Sequence, residues 1–255
     1  MKKSTAWLLL IALLLALTAC GAKPTESEPQ AQPPQEKEKT AATMTLKQLG
    51  DLQYYLYTPS DPEPDMPLIL YLHGGTNKKA DVTALLTTEG FPKYLYEGEL
   101  GDLRAFVAIP KLESSYKGWE SIPDKILALI DSLYSSCAIN KNEIALTGHS
   151  MGGTGTYQLQ LKLPSTFARI APMSGSVQIN EKSLSALSKV KIWAFVGTSD
   201  TVVDPTSSRS AINTLRERGA DAAITELNGA THLDVPALAY KDPDLLQWLI
   251  GNENT

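Results

Sequence analysis

Residues 67–72 read PLILYL, six positions without a charge. A strand with one wet face alternates apolar and polar side chains, so an unbroken apolar run of this length fits a strand covered on both faces. A similar run recurs at 105–110, and 143–147, 169–173 and 191–196, each opening on a charged residue, are further strand candidates. Segments with helical periodicity lie between them. Ile122, Ile126, Leu129, Ile130 and Leu133 form one apolar stripe. A second helix is expected over 151–163, stopped by Pro164. A third spans 207–218, with Gly219 as the residue just beyond its end. Residues 52–58 are a strand candidate with Tyr54, Leu56 and Thr58 on one face and Tyr55 and Tyr57 on the other; 223–227 is the last strand and 244–250 a closing helix. Alternation on this scale predicts a mostly parallel central sheet with helices on both faces.

One turn in this alternation carries chemistry. Gly148-His149-Ser150-Met151-Gly152 has the form G-x-S-x-G, with the β-rich NEIALTG before it and a helix after it. That setting holds a serine on a sharp, strained turn, and the flanking glycines let neighbouring backbone approach. Serine is a weak nucleophile until a base takes its proton. In the chain order that accompanies such a serine, an acid and then a histidine follow it. The chain has three histidines, and only His232 comes after Ser150. The acid should follow a strand end between the two. Asp200, in GTSDTVVD, is favoured; Asp204 is the rival, with the alternative role of capping a helix ahead of Pro205. His73-Gly74-Gly75-Thr76 follows PLILYL and suits an oxyanion loop. Its donors would be the Met151 N–H together with that of Gly75 or Thr76.

These stretches together, LILYLHGG, INKNEIALTGHSMGGTGTYQ, KIWAFVGTSDTVVD and GATHLDVP, resemble the α/β-hydrolase superfamily. The resemblance is strongest to the compact bacterial carboxylesterase, phospholipase and dienelactone-hydrolase-like group, which has feruloyl-esterase-like members. It implies an α/β-hydrolase fold with a triad of Ser150, Asp200 and His232. The spacing between core elements is short throughout and leaves few residues for a large lid, which favours small to medium esters; no cofactor is expected. The same triad serves peptidases and acyltransferases, and a binding module that has lost catalysis can keep the fold. Tyr116 and Trp119, aromatic residues in the irregular stretch after Pro110, are candidates to line the substrate pocket.

The N-terminus reads as an address. Lys2 and Lys3 precede an apolar run from 6 to 19, short for a membrane span. The run ends in Leu17-Thr18-Ala19-Cys20-Gly21, which resembles a bacterial lipobox. Residues 1–19 are therefore expected to be a lipoprotein signal peptide, with Cys20 lipidated and the protein extracytoplasmic on the cell membrane. Residues 20–43 are rich in Pro, Glu, Gln and Lys and read as a disordered tether, with the hydrolase domain at 44–255. The net charge of -5, without a basic block, disfavours nucleic acid as a partner. No Cys/His cluster suggests a metal. Cys137, at the end of a helical pattern, reads as a small buried residue.

Overall fold

The computed structural model describes residues 40–252. The expected signal peptide, the expected lipidation site Cys20 and most of the expected tether lie outside the described residues. Eight strands form one sheet: β1 (Thr43–Leu49), β2 (Leu52–Thr58), β3 (Leu68–Leu72), β4 (Phe106–Pro110), β5 (Ile144–His149), β6 (Arg169–Met173), β7 (Lys191–Gly197) and β8 (Ala222–Leu227), in the order β1-β2-β4-β3-β5-β6-β7-β8. The β1–β2 and β2–β4 pairs are antiparallel and the rest are parallel. This is an α/β-hydrolase fold.

Alternation along each strand divides the core in two. Leu68, Leu70 and Leu72 of β3 join one cluster, and Ile69 and Tyr71 join the other. The first cluster is covered by α3 (Pro123–Cys137), α4 (Met151–Lys162), α5 (Glu181–Leu187) and α6 (Pro205–Glu217). The second is covered by α1 (Leu85–Thr88), α2 (Gly90–Tyr96), α7 (Asp234–Tyr240) and α8 (Pro243–Leu249). All five residues of β3 are fully buried, so truncating one of its leucines to alanine would cost about 2–5 kcal/mol. Among the described residues there is no separate lid domain; the excursions between strands are short helices packed on the sheet.

The strands expected from apolar runs are present within two residues at each end. Several elements have no counterpart in the sequence reading. β1 is an edge strand, exposed or half-exposed throughout, so no apolar run announces it. It also starts inside the expected tether: Thr43 pairs with Thr58, and the Thr40 N–H donates to Asp61 Oδ1 at 2.7 Å. Helix α5 is short and rests on a capping box between Asn180 and Ser183. Helix α7 carries Pro236 within seven residues. Cys137, the last residue of α3, is half-buried rather than buried and packs against the edge of the first cluster.

Candidate active site

The loops at the C-terminal ends of β3, β5, β7 and β8 converge. Ser150 sits between β5 and α4 with φ 59° and ψ -117°. A non-glycine residue at such angles stores about 1–3 kcal/mol of strain, which the surroundings must hold. They do so through small residues. A Cβ on Gly148 would lie 2.5 Å from the Leu72 carbonyl oxygen, and one on Gly152 only 1.8 Å from it. No side chain fits at either place. The Ser150 N–H donates to the Met173 carbonyl at 3.0 Å, pinning the turn to β6.

His232 reaches the serine from the loop after β8. Its Nε2 is 2.8 Å from Ser150 Oγ, and its Nδ1 is 2.8 Å from Asp200 Oδ2. Asp200 Oδ1 accepts the N–H groups of Val202 and Val203, each at 2.9 Å. Burial alone would raise the Asp200 pKa; these N–H groups and the His232 ring more than offset it and hold the carboxyl below its ordinary value. Gly197 makes the meeting possible, because a Cβ there would be 2.3 Å from the Ala230 carbonyl oxygen on the His232 loop. Asp204 is exposed and accepts the Thr206 N–H at 2.9 Å as the cap of α6, away from the histidine. The structure thus brings Ser150, His232 and Asp200 together and leaves Asp204 outside.

The other two histidines are buried and structural in setting. His149 turns toward His232: its Nε2–H donates to the His232 carbonyl oxygen at 2.9 Å. Burial, then the neighbouring His232, lowers its pKa to about 4. His73 donates Nδ1–H to the Gly74 carbonyl and accepts the Leu112 N–H on Nε2 at 2.9 Å. Burial likewise lowers its pKa to about 4.

On the opposite side of Ser150, Gly75 opens a 3₁₀ turn (Gly75–Lys78), and Met151 opens α4. The N–H groups of Gly75, Thr76 and Met151 lie in first turns, where no intrahelical acceptor exists. A Cβ on Gly75 would lie 3.9 Å from Met151 Cβ, so the two turns touch. The Gly74 N–H is not free; it donates to Glu89 Oε1 at 2.9 Å.

A cleft of about 350 Å³ opens at Ser150, walled by Gly74–Thr76, Tyr94, Val202, His232, Leu233 and Pro236. Trp119 and Tyr116 do not border it, which corrects the expectation from sequence. Trp119 is fully buried, and its indole N–H donates to the His73 carbonyl at 3.1 Å. Tyr116 packs against the core with the Lys125 ammonium 5.2 Å from its ring centre. A larger cleft of about 580 Å³ lies beside α4 and α5, lined by Thr154, Gln158, Lys162 and Lys182 among others. It contains none of the three residues joined above.

The family model for the dienelactone hydrolase family matches residues 52–233. The chain belongs to the dienelactone hydrolase family. The match spans Ser150, Asp200 and His232 and the turns that open at Gly75 and Met151. This family member is 26% identical over 175 residues to a bifunctional acetylxylan esterase/xylanase, XynS20E, from Neocallimastix patriciarum; the alignment covers 65% of the chain and 24% of that protein. The chain therefore spans about a quarter of the length of that curated relative. Among solved structures it resembles a thermostable esterase, with TM-score 0.69 and 22% identity over 82% of the chain and 62% of that one. It also resembles the feruloyl esterase module from Clostridium thermocellum, with TM-score 0.67 and 14% identity over 84% and 90% of the two chains. An S-formylglutathione hydrolase from Staphylococcus aureus aligns with TM-score 0.62 and 17% identity over 86% and 99%. At these identities the structural likenesses establish the fold.

Two residues of this dienelactone hydrolase family site escape sequence reasoning. One is Glu89, which is buried at the cleft and tied to the Gly74 loop. The other is Leu233, 80% exposed at the cleft mouth. A large apolar residue next to a candidate base was a usable signal for Leu233. Glu89 gave none, because it lies in a polar stretch that reads as surface. Among the described residues no group of three or more His, Cys, Asp or Glu could hold a metal ion.

Proposed function

We propose that this protein is a serine carboxylesterase for small to medium esters. The observation that carries the reading is the continuous hydrogen-bonded line from Ser150 Oγ through the His232 ring to Asp200, with 2.8 Å at each joint. Ser150 Oγ attacks the ester carbonyl carbon as His232 Nε2 takes its proton. The carbonyl π electrons move onto oxygen, and the N–H groups of Met151 and of Gly75 or Thr76 receive that charge. The tetrahedral species collapses, the C–O bond to the alcohol breaks, and the imidazolium returns its proton to the leaving oxygen. Water repeats the sequence on the acyl-enzyme and frees the acid. Asp200 holds the imidazole with Nδ1–H toward itself and stabilises the imidazolium. The esterase names of the acetylxylan and feruloyl relatives agree with this chemistry.

The cleft volume, with no lid domain among the described residues, favours acyl and alcohol groups of modest size over long-chain triglycerides. We further propose that the enzyme works outside the cytoplasm, held on the bacterial membrane by a lipid on Cys20. Lys2 and Lys3, the apolar run and the LTACG box support this. Intact mass of the mature N-terminus tests it, and an unmodified start downstream of Cys20 would overturn it. The esterase reading is tested by a p-nitrophenyl ester series of rising acyl length on wild type and Ser150→Ala. Turnover of the short esters that vanishes in the variant is expected. Equal turnover in both would sink the reading.

A further inference from the structure

Glu89 is an acid with no assigned role at the most sensitive place in the molecule. It precedes α2 but does not cap that helix. Its carboxyl turns into the core instead and is 5% exposed as a residue. Oε1 accepts the Gly74 N–H at 2.9 Å and the Asn77 side-chain amide at 2.6 Å; Oε2 accepts the Tyr71 hydroxyl at 2.7 Å. Three donors therefore converge on this one buried carboxyl. Tyr71 responds accordingly: burial first, then the charge on Glu89, raises its phenol far above the ordinary value. The segment is clamped from the other side as well. A Cβ on Gly90 would be 2.8 Å from Pro236 Cβ, so α2 bears directly on α7 beside the His232 loop.

The consequences are two. Gly74 precedes the turn that presents the Gly75 and Thr76 N–H groups and Asn77 lies within it, so Glu89 fixes that turn. Its negative charge also lies at the wall of the Ser150 cleft, whose lining includes no lysine or arginine. Lys78 and Lys111, on the turn and behind it, direct their ammoniums at carbonyl oxygens: Lys78 at Tyr116 and Lys117, Lys111 at Lys78 and Leu112. The remaining walls are the imidazoles of His149 and His232 together with backbone, hydroxyl, aromatic and apolar groups.

We infer that Glu89 is a positioning residue of the oxyanion turn whose fixed charge makes this site select neutral and cationic esters against anionic ones. The inference rests on the esterase reading and names the substrate class for it. A full charge within several ångströms, in a medium less polar than water, changes relative rates by about tenfold or more.

The experiment uses three acetyl esters of matched shape: 4-acetoxybenzoate, its methyl ester, and 4-acetoxyphenyltrimethylammonium. Each kcat/KM is divided by the rate of spontaneous hydroxide hydrolysis of the same ester. Fluorophosphonate labelling of Ser150 is run in parallel. Wild type is expected to prefer the neutral and cationic esters over the anion by at least about tenfold. Glu89→Gln, which keeps a polar side chain of the same shape without the charge, should shrink that gap whatever it does to the absolute rates. Glu89→Ala should lower kcat on the methyl ester more than it changes KM, because the turn is released. Labelling with equal normalised rates on all three esters, or a gap untouched by Glu89→Gln, overturns the inference and leaves the esterase standing. Absence of both labelling and turnover overturns the esterase and the inference together.

Discussion

The rings of His149 and His232 lie against each other with centroids 4.5 Å apart, and His149 Nε2 is 2.9 Å from the His232 carbonyl oxygen. The residue before the candidate nucleophile thus holds the backbone of the candidate base. Replacing His149 with alanine removes one hydrogen bond and one packing face. A neutral hydrogen bond contributes about 0.5–1.5 kcal/mol, so kcat should fall roughly 3- to 10-fold with KM little changed. Steady-state kinetics on a p-nitrophenyl ester measure it; wild-type kcat in the variant would show that the His232 loop needs no such support.

Acid titration of the two buried histidines should appear in stability. His149 and His73 have an ordinary pKa of 6.5 and are lowered to about 4 in the fold. Both are bases that stay neutral when folded, so the unfolded chain binds more protons between these values. Stability is complete above about pH 6.5 and is lost as pH falls toward about 4, by up to roughly 3 kcal/mol for each group. Thermal melts at half-unit steps should slope down through this window, above the range where carboxylates titrate. His149→Gln should flatten part of the slope; an unchanged slope would mean that His149 is not the group responsible.

Asp200 and Asp204 stand four positions apart and should behave very differently. Asp200→Asn removes the charge facing His232 Nδ1 and permits the wrong tautomer, a change that costs up to about 10⁴ in kcat in a triad of this type. Asp204→Asn keeps a good helix cap and should alter kcat less than about twofold. Comparable losses in the two variants would contradict the geometry.

Gly155 and Trp119 form a packing pair. A Cβ on Gly155 would be 2.6 Å from the Trp119 ring. Gly155→Ala should therefore destabilise by about 1–3 kcal/mol despite alanine's better helix propensity. Trp119→Phe should lower the melting temperature while leaving the relative rates along an acyl series unchanged. Leu233→Ala, at the cleft mouth, should change those relative rates. A specificity shift confined to Trp119→Phe would restore the aromatic to the pocket.

The fold was legible where burial is two-sided. β3, β4 and β6 announce themselves because water touches neither face, and the motif around Ser150 because its backbone admits only small residues. His232 needed no structural signal, being the one histidine after the serine. β1 was hidden because an edge strand has no apolar run to show, and α7 because a proline sits inside a single short apolar segment. Trp119 misled for a related reason: an aromatic residue in an irregular stretch looks like a pocket wall, whereas this one fills the space that Gly155 leaves. Glu89 acquires meaning from Gly74, fifteen positions earlier, and that contact exists only once the β3 loop and α2 have met.

Ser150 and its histidine are separated by 82 positions, and the histidine and its acid by 32. Each arrives on a different strand of the sheet. During synthesis the serine emerges long before its base, with β6, β7 and β8 still to be added to the sheet. A chain halted before β8 could hold the strained turn but could not draw a proton from it. Reactivity of Ser150 is therefore a clock for the end of folding: labelling of nascent or refolding chains should begin only when the last strand docks.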